Sequence, residues 1–218
     1  MRKSFFLFIP LALSAALYAS GEESAKPQTP IQGEISGFLT AEKSPYLVES
    51  TLIIPEGKAL IIDAGVSLLF TKGSGIDVAG GSFAVAGQED KPVVLKAAGD
   101  SRWNGISITG KMSADFQDVK IENAEIGIAI ENGIADLRNI SIENSAETGL
   151  FSKNSALTVE NASFKNNKSA ALRISNGSDI DILQANFEQN KIALVAEANT
   201  VIALREASLK DNEIGVLD

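Results

Sequence analysis

The feature that most constrains this chain is a period. Ile128, Leu150, Leu172, Leu194 and Val216 fall at a constant interval of 22 residues, each preceded by a small residue: Gly127, Gly149, Ala171, Ala193 and Gly215. A second series runs beside it at intervals of 21 to 23: Val119-Lys120-Ile121, Ile140-Ser141-Ile142, Ala162-Ser163-Phe164, Ala185-Asn186-Phe187 and Ala207-Ser208-Leu209. A third, shorter series reads Ala135-Asp136-Leu137, Leu157-Thr158-Val159, Ile180-Asp181-Ile182 and Val201-Ile202-Ala203. A fixed repeat of this length means that each unit buries its apolar side chains against the next copy of itself rather than against distant sequence.

Three short strands and three turns in about 22 residues are what one coil of a parallel β-helix needs, because each strand must return to meet its own copy one rung later. A leucine-rich repeat has a similar length, but its Leu-x-x-Leu-x-Leu core with a fixed Asn is absent. Aromatic residues make up only 6% of the chain, while Val, Ile, Leu, Ala and Gly abound, which suits thin stacked layers. Asn123, Asn144, Asn167, Asn190 and Asn212 each follow a strand of the second series. Asn tolerates the left-handed conformation of tight turns and its amide bonds to a copy above and below, so a single internal ladder is expected there.

The first half has looser spacing with the same ingredients. Tyr46-Leu47-Val48, Ile54-Pro55-Glu56-Gly57, Leu60-Ile61-Ile62-Asp63-Ala64-Gly65-Val66, Gly75-Ile76-Asp77-Val78 and Trp103-Asn104-Gly105-Ile106 resemble the opening coils of bacterial right-handed parallel β-helix proteins of the pectin-lyase-like superfamily. The resemblance runs from about Tyr46 to Asp218 and implies an all-β, right-handed, single-stranded parallel β-helix of about eight coils, three short strands per coil. That superfamily includes polysaccharide lyases, glycoside hydrolases, adhesins and proteins without activity, so the fold by itself implies no chemistry.

Three segments are expected: a signal peptide over 1–20, a flexible polar linker over 21–34 and the β-helix over 35–218. Arg2 and Lys3 precede an apolar run from Phe5 to Leu17, and small residues follow at Ala19, Ser20 and Gly21, the arrangement of a cleaved export signal; the rival reading, an uncleaved membrane anchor, is disfavoured because the run is short and broken by Pro10. A secreted, periplasmic or cell-surface location follows as an expectation. The chain has no Cys, which removes disulfides and a lipidated amino terminus, and its formal charge of -9 disfavours nucleic acid and anionic lipid as partners.

No His and no Cys are present, so Ser-His-Asp, Cys-His and zinc chemistry are closed off by composition. Carboxylates remain. Asp77, Asp115, Asp118, Asp136, Asp179 and Asp181 do not stack in one column of this alignment, Arg138 and Asp181 share a column two rungs apart, and Glu131, Asp136 and Glu143 lie near turns from which they could approach one another. No catalytic set, metal site or cofactor is expected from them.

Two outward columns are candidate binding surfaces. The first is polar: Lys120, Ser141, Ser163, Asn186 and Ser208, beside the charged column Glu122, Glu143, Lys165, Glu188 and Lys210. The second is Ala129, Phe151, Arg173, Val195 and Leu217, flanked by the Gly and Ala column and so expected to be a flat apolar strip with one cation. The single Trp, Trp103, is expected to cover a coil end or bend. The leading functional expectation is a non-catalytic exported β-helix that binds a polysaccharide or an envelope protein; the alternatives are a polysaccharide lyase or glycoside hydrolase, and a purely structural spacer. Because the last strand begun by Val216 is uncapped in this sequence, self-association through the carboxy-terminal coil is also expected.

Overall fold

A computed structural model describes residues 27–218. The expected signal peptide, 1–20, lies outside the described residues. Among the described residues nineteen strands join in one continuous ladder, every strand pair in it is parallel, and the chain winds as a solenoid of about eight turns of about 22 residues.

Strand rows set by the 22-residue period stack in register. Ile128 pairs with Leu150, Leu150 with Leu172, Leu172 with Leu194 and Leu194 with Val216. The first three are fully buried and Leu194 nearly so, in a single internal row. Val216 keeps the register but is 55% exposed, because no coil stacks on its outer side among the described residues. Interior side chains therefore come from identical positions of successive coils, and burying each Leu or Ile there contributes roughly 1.5 to 3 kcal/mol.

The coil has three faces. The first carries Ile121, Ile142, Phe164, Phe187 and Leu209; the second carries the Ile128 row; the third carries Phe116, Leu137, Val159, Ile182 and Leu204. Third and first faces merge into continuous ten-residue strands, Ser113–Glu122, Ile134–Glu143, Ala156–Lys165, Asp179–Glu188 and Val201–Lys210. Each of these bends at one residue of positive φ: Asp118, Asn139, Asn161, Gln184 and Glu206. Polar residues with short or flexible side chains reach that conformation at lower cost than β-branched ones, so the bend is written into the sequence at a fixed place.

Corners differ from expectation in an informative way. The predicted single Asn series is two adjacent columns. Asn123 and Asn144 take the left-handed conformation together with Asn166, Gln189 and Asp211. Asn167, Asn190 and Asn212 come one position later, point inward and form the buried ladder, with Ser145 heading their column. Asn190 Oδ1 accepts from the Asn167 backbone N–H at 3.0 Å and from Asn167 Nδ2 at 2.8 Å, while Asn190 Nδ2 donates to the Phe164 carbonyl at 2.9 Å. The adjacent amides also touch: Asn190 Nδ2 donates to Asn212 Oδ1 at 3.0 Å.

The amino-terminal boundary also moves. Part of the expected linker, Thr29–Glu34, is a strand that pairs with Tyr46–Pro55, so the solenoid begins within the proline-punctuated segment. Pro30 is tolerated because, among the described residues, this strand is paired in the ladder on one side only, and a missing N–H on the other side breaks no ladder bond. Trp103 is fully buried, stacked on Phe70 at 4.0 Å between centroids, and its indole N–H donates to the Glu122 carbonyl at 2.8 Å. Its role is packing at a wide corner, as expected.

Candidate functional site

The second face carries the predicted strip in register. Ala129 pairs with Phe151, Phe151 with Arg173, Arg173 with Val195 and Val195 with Leu217. The same column continues toward the amino terminus through Ser107 and Asp77. These side chains alternate with the buried row and point away from the core, as strand periodicity requires.

Two expectations about the strip need correcting. Val195 is 6% exposed, enclosed between Arg173 and Leu217 in the column, so the accessible strip is Ala129, Phe151, Arg173 and Leu217. Nor is the strip flat on account of a small-residue flank. Gly127 and Gly149 face the interior of the corner: a Cβ on Gly127 would come within 2.4 Å of the Gly149 carbonyl and 2.5 Å of Ile142, and one on Gly149 within 2.6 Å of the Ala171 carbonyl. Those positions are small because successive coils close on one another there.

What lies along the face is a groove. One hollow of about 350 Å³ has Asp77, Asn104, Ser107 and Ala129 in its lining. A second, of about 240 Å³, is lined by Glu147, Thr148, Phe151, Ser169 and Arg173. Both include Ile126, which projects from the turn between the first and second faces, so the two lie end to end along the solenoid axis. From Asp77 to Arg173 the column climbs four rungs, about 19 Å at the usual strand spacing. Asp77, Ser107, Glu147 and Ser169 make no side-chain hydrogen bond to protein among the described residues, leaving donors and acceptors open toward solvent. Arg173 Nη1 donates to Glu197 Oε1 at 3.3 Å.

The polar column is also in register: Lys120 with Ser141, Ser141 with Ser163, Ser163 with Asn186, Asn186 with Ser208. Lys120 and Ser141 line a hollow of about 410 Å³ at the bend, but Ser163, Asn186 and Ser208 are not among its lining residues. Much of its polarity is already spent. Asn161 Nδ2 donates to Asn139 Oδ1 at 2.8 Å, Asn139 Nδ2 donates to Asp118 Oδ1 at 3.0 Å, and Ser141 Oγ donates to Glu143 at 2.8 Å. In the neighbouring charged column one ion pair forms across rungs, Lys165 Nζ lying 3.6 Å from Glu188, while Glu122 and Glu143 are like charges in register; an exposed pair of that kind contributes roughly 0.2 to 1 kcal/mol.

The carboxylates are arranged differently from expectation. Asp115 pairs with Asp136, Asp136 with Thr158 and Thr158 with Asp181, so three of the Asp residues do share one outward column on the third face. The final copy of that strand is shifted one position from the predicted alignment, Asp181 facing Ala203 and Ile182 facing Leu204. Arg138 stands in a different column, paired with Glu160, and Asp181 instead accepts at both carboxylate oxygens from the single Arg205 Nη2, at 2.5 and 2.6 Å. Glu131 and Glu143 do not converge with Asp136: the first pairs with Lys153 at 3.4 Å and the second accepts from Ser141. Among the described residues no three His, Cys, Asp or Glu side chains gather in a metal-holding group.

The sequence profile of the family described as "Right handed beta helix region" matches residues 98–217, more than half of the chain. The chain belongs to the right-handed β-helix family. No curated protein and no solved structure gives a significant match. Family membership accords with the parallel winding described above and with the resemblance to pectin-lyase-like proteins; it assigns no chemistry to any face of this β-helix.

Proposed function

We propose that this β-helix is an exported, non-catalytic protein that holds a polysaccharide chain along the groove of its second face. The observation that carries the reading is the pair of end-to-end hollows with a half-exposed aromatic ring, Phe151, and unspent polar groups at Asp77, Ser107, Glu147 and Ser169. Sugar rings offer an apolar face and a rim of hydroxyls, so a ring surface flanked by free hydrogen-bonding groups is the complementary lining. A rung spacing of about 4.8 Å is close to the length of one pyranose unit, so equivalent positions on successive coils meet successive sugars.

The test is retention in affinity electrophoresis or on a glycan array, repeated with Phe151→Ala and Arg173→Ala. Loss of retention in Phe151→Ala with the circular-dichroism spectrum unchanged is expected. Binding that survives both substitutions places the ligand elsewhere.

A second reading, a glycoside hydrolase or lyase, is favoured by one observation: Asp115 and Asp136 face each other on adjacent rungs. Like charges directly opposite in a ladder are destabilising, so their persistence invites a role in protonating or attacking a glycosidic bond. New reducing ends or unsaturated products from incubated polysaccharide, lost in Asp136→Asn, would replace the non-catalytic reading with this one. A third, a structural spacer, predicts neither retention nor product.

A further inference from the structure

We propose that the groove selects glycans without carboxylates and discriminates against polyuronates. This rests on the groove being the glycan site. Its lining carries Asp77 in one hollow and Glu147 in the other, neither of them in an ion pair among the described residues. Arg173 is the one cation lining either hollow, and its guanidinium already faces the Glu197 carboxylate at 3.3 Å.

A uronate laid along this column meets two unpaired carboxylates and a cation that is shared. Arg173 and Glu197 are both partly exposed, so their pair is weak, and a sugar carboxylate competes with Glu197 on nearly equal terms while gaining no free positive charge. The formal charge of the chain, -9, adds a repulsive background at low ionic strength. A neutral chain incurs none of this. Its hydroxyls donate to Asp77 and Glu147 and accept from Ser107, Ser169 and Arg173, and charge-assisted hydrogen bonds of that kind are the stronger ones. Selectivity thus arises from what the groove repels as much as from what it binds.

The experiment compares xylo- and cello-oligosaccharides with galacturonan oligosaccharides of equal length, in low-salt buffer, against the whole chain. Neutral oligosaccharides are expected to bind at least about tenfold more tightly, the factor that corresponds to about 1.4 kcal/mol. Glu197→Gln, a residue that lines neither hollow, is expected to raise galacturonan affinity about two- to fivefold by releasing Arg173, leaving neutral binding unchanged. Galacturonan binding equal to or tighter than neutral binding, and abolished by Phe151→Ala, overturns the selectivity while leaving the groove as the site. No binding of either class overturns both. Glu197→Gln with no gain for galacturonan overturns the role given to the Arg173 pair.

Discussion

Replacing Asn190 by Ala tests whether the buried amide ladder holds the coils together. Asn190 is 1% exposed and its side chain makes four hydrogen bonds: two accepted by Oδ1 from Asn167, one donated by Nδ2 to the Phe164 carbonyl and one to Asn212. Ala leaves two backbone groups, the Asn167 N–H and the Phe164 C=O, without this partner inside the corner. At about 1 to 3 kcal/mol for each buried group left unsatisfied, and with the two side-chain amides free to reorient, the expected cost is roughly 3 to 5 kcal/mol. Asn190 does not have positive φ, so no backbone strain enters the figure.

Asn161 supplies the control. It also sits in an amide ladder, but that ladder is exposed and its backbone is left-handed, at φ 53°. Asn161→Ala is expected to cost about 1 to 2 kcal/mol, chiefly from backbone strain, and Asn161→Gly to recover most of it. Asn190→Gly recovers nothing. Urea unfolding followed by circular dichroism gives the free energies, and hydrogen exchange of the Asn167 amide reads the ladder directly. A cost below about 1 kcal/mol for Asn190→Ala, or a larger cost for Asn161→Ala than for Asn190→Ala, would refute the argument.

Gly105→Ala is expected to prevent the wide corner from closing, since its Cβ would lie 1.6 Å from the Ile126 carbonyl at φ 94°, whereas Gly37→Ala, at the same φ with open space around it, costs only about 1 to 2 kcal/mol; thermal melts of the two variants compare them. Ser145→Ala is expected to leave stability unchanged or raise it by about 1 kcal/mol in urea unfolding, because the Ser145 hydroxyl is buried without a partner. Iodide should fail to quench Trp103 fluorescence in the folded chain, the ring being fully buried, and ready quenching would contradict the stacking on Phe70. We further propose self-association through the last coil, whose Leu204, Leu209 and Val216 face solvent; Leu209→Lys should abolish any concentration-dependent rise in mass seen by light scattering, and mass independent of concentration in the parent chain would remove the proposal.

The row Ile128 to Val216 was legible because an internal position recurs in every coil and only an aliphatic side chain fits it. Spacing loosened in the first half for a physical reason: Leu52, Ile76 and Ile106 stack in register although the chain between the last two makes a long excursion that carries Trp103 inward. Period-two alternation assigns faces within a strand, and it failed at the bends. Arg138 and Asn139 both face solvent between buried Leu137 and Ile140, so counting alternate residues through the bend loses the face. For the same reason two Asn columns one residue apart merged into a single expected ladder, although one lines the surface and the other the core.

The strip shows where pattern stops and geometry starts. Its members were identifiable from the 22-residue interval, because outward positions recur as faithfully as inward ones. Whether they form a plane or a groove depends on what rises beside them, and Ile126, in a turn of no fixed hydropathy, is what divides and walls the two hollows. The inward aim of Gly127 and Gly149 had the same origin: smallness in a sequence marks close approach, but only the carbonyls of Gly149 and Ala171 tell from which side the approach comes. A solenoid therefore reveals both its inward and its outward columns through repetition, and the shape of an outward face through the size of the side chains that fill those columns, here Ile126, Phe151 and Arg173.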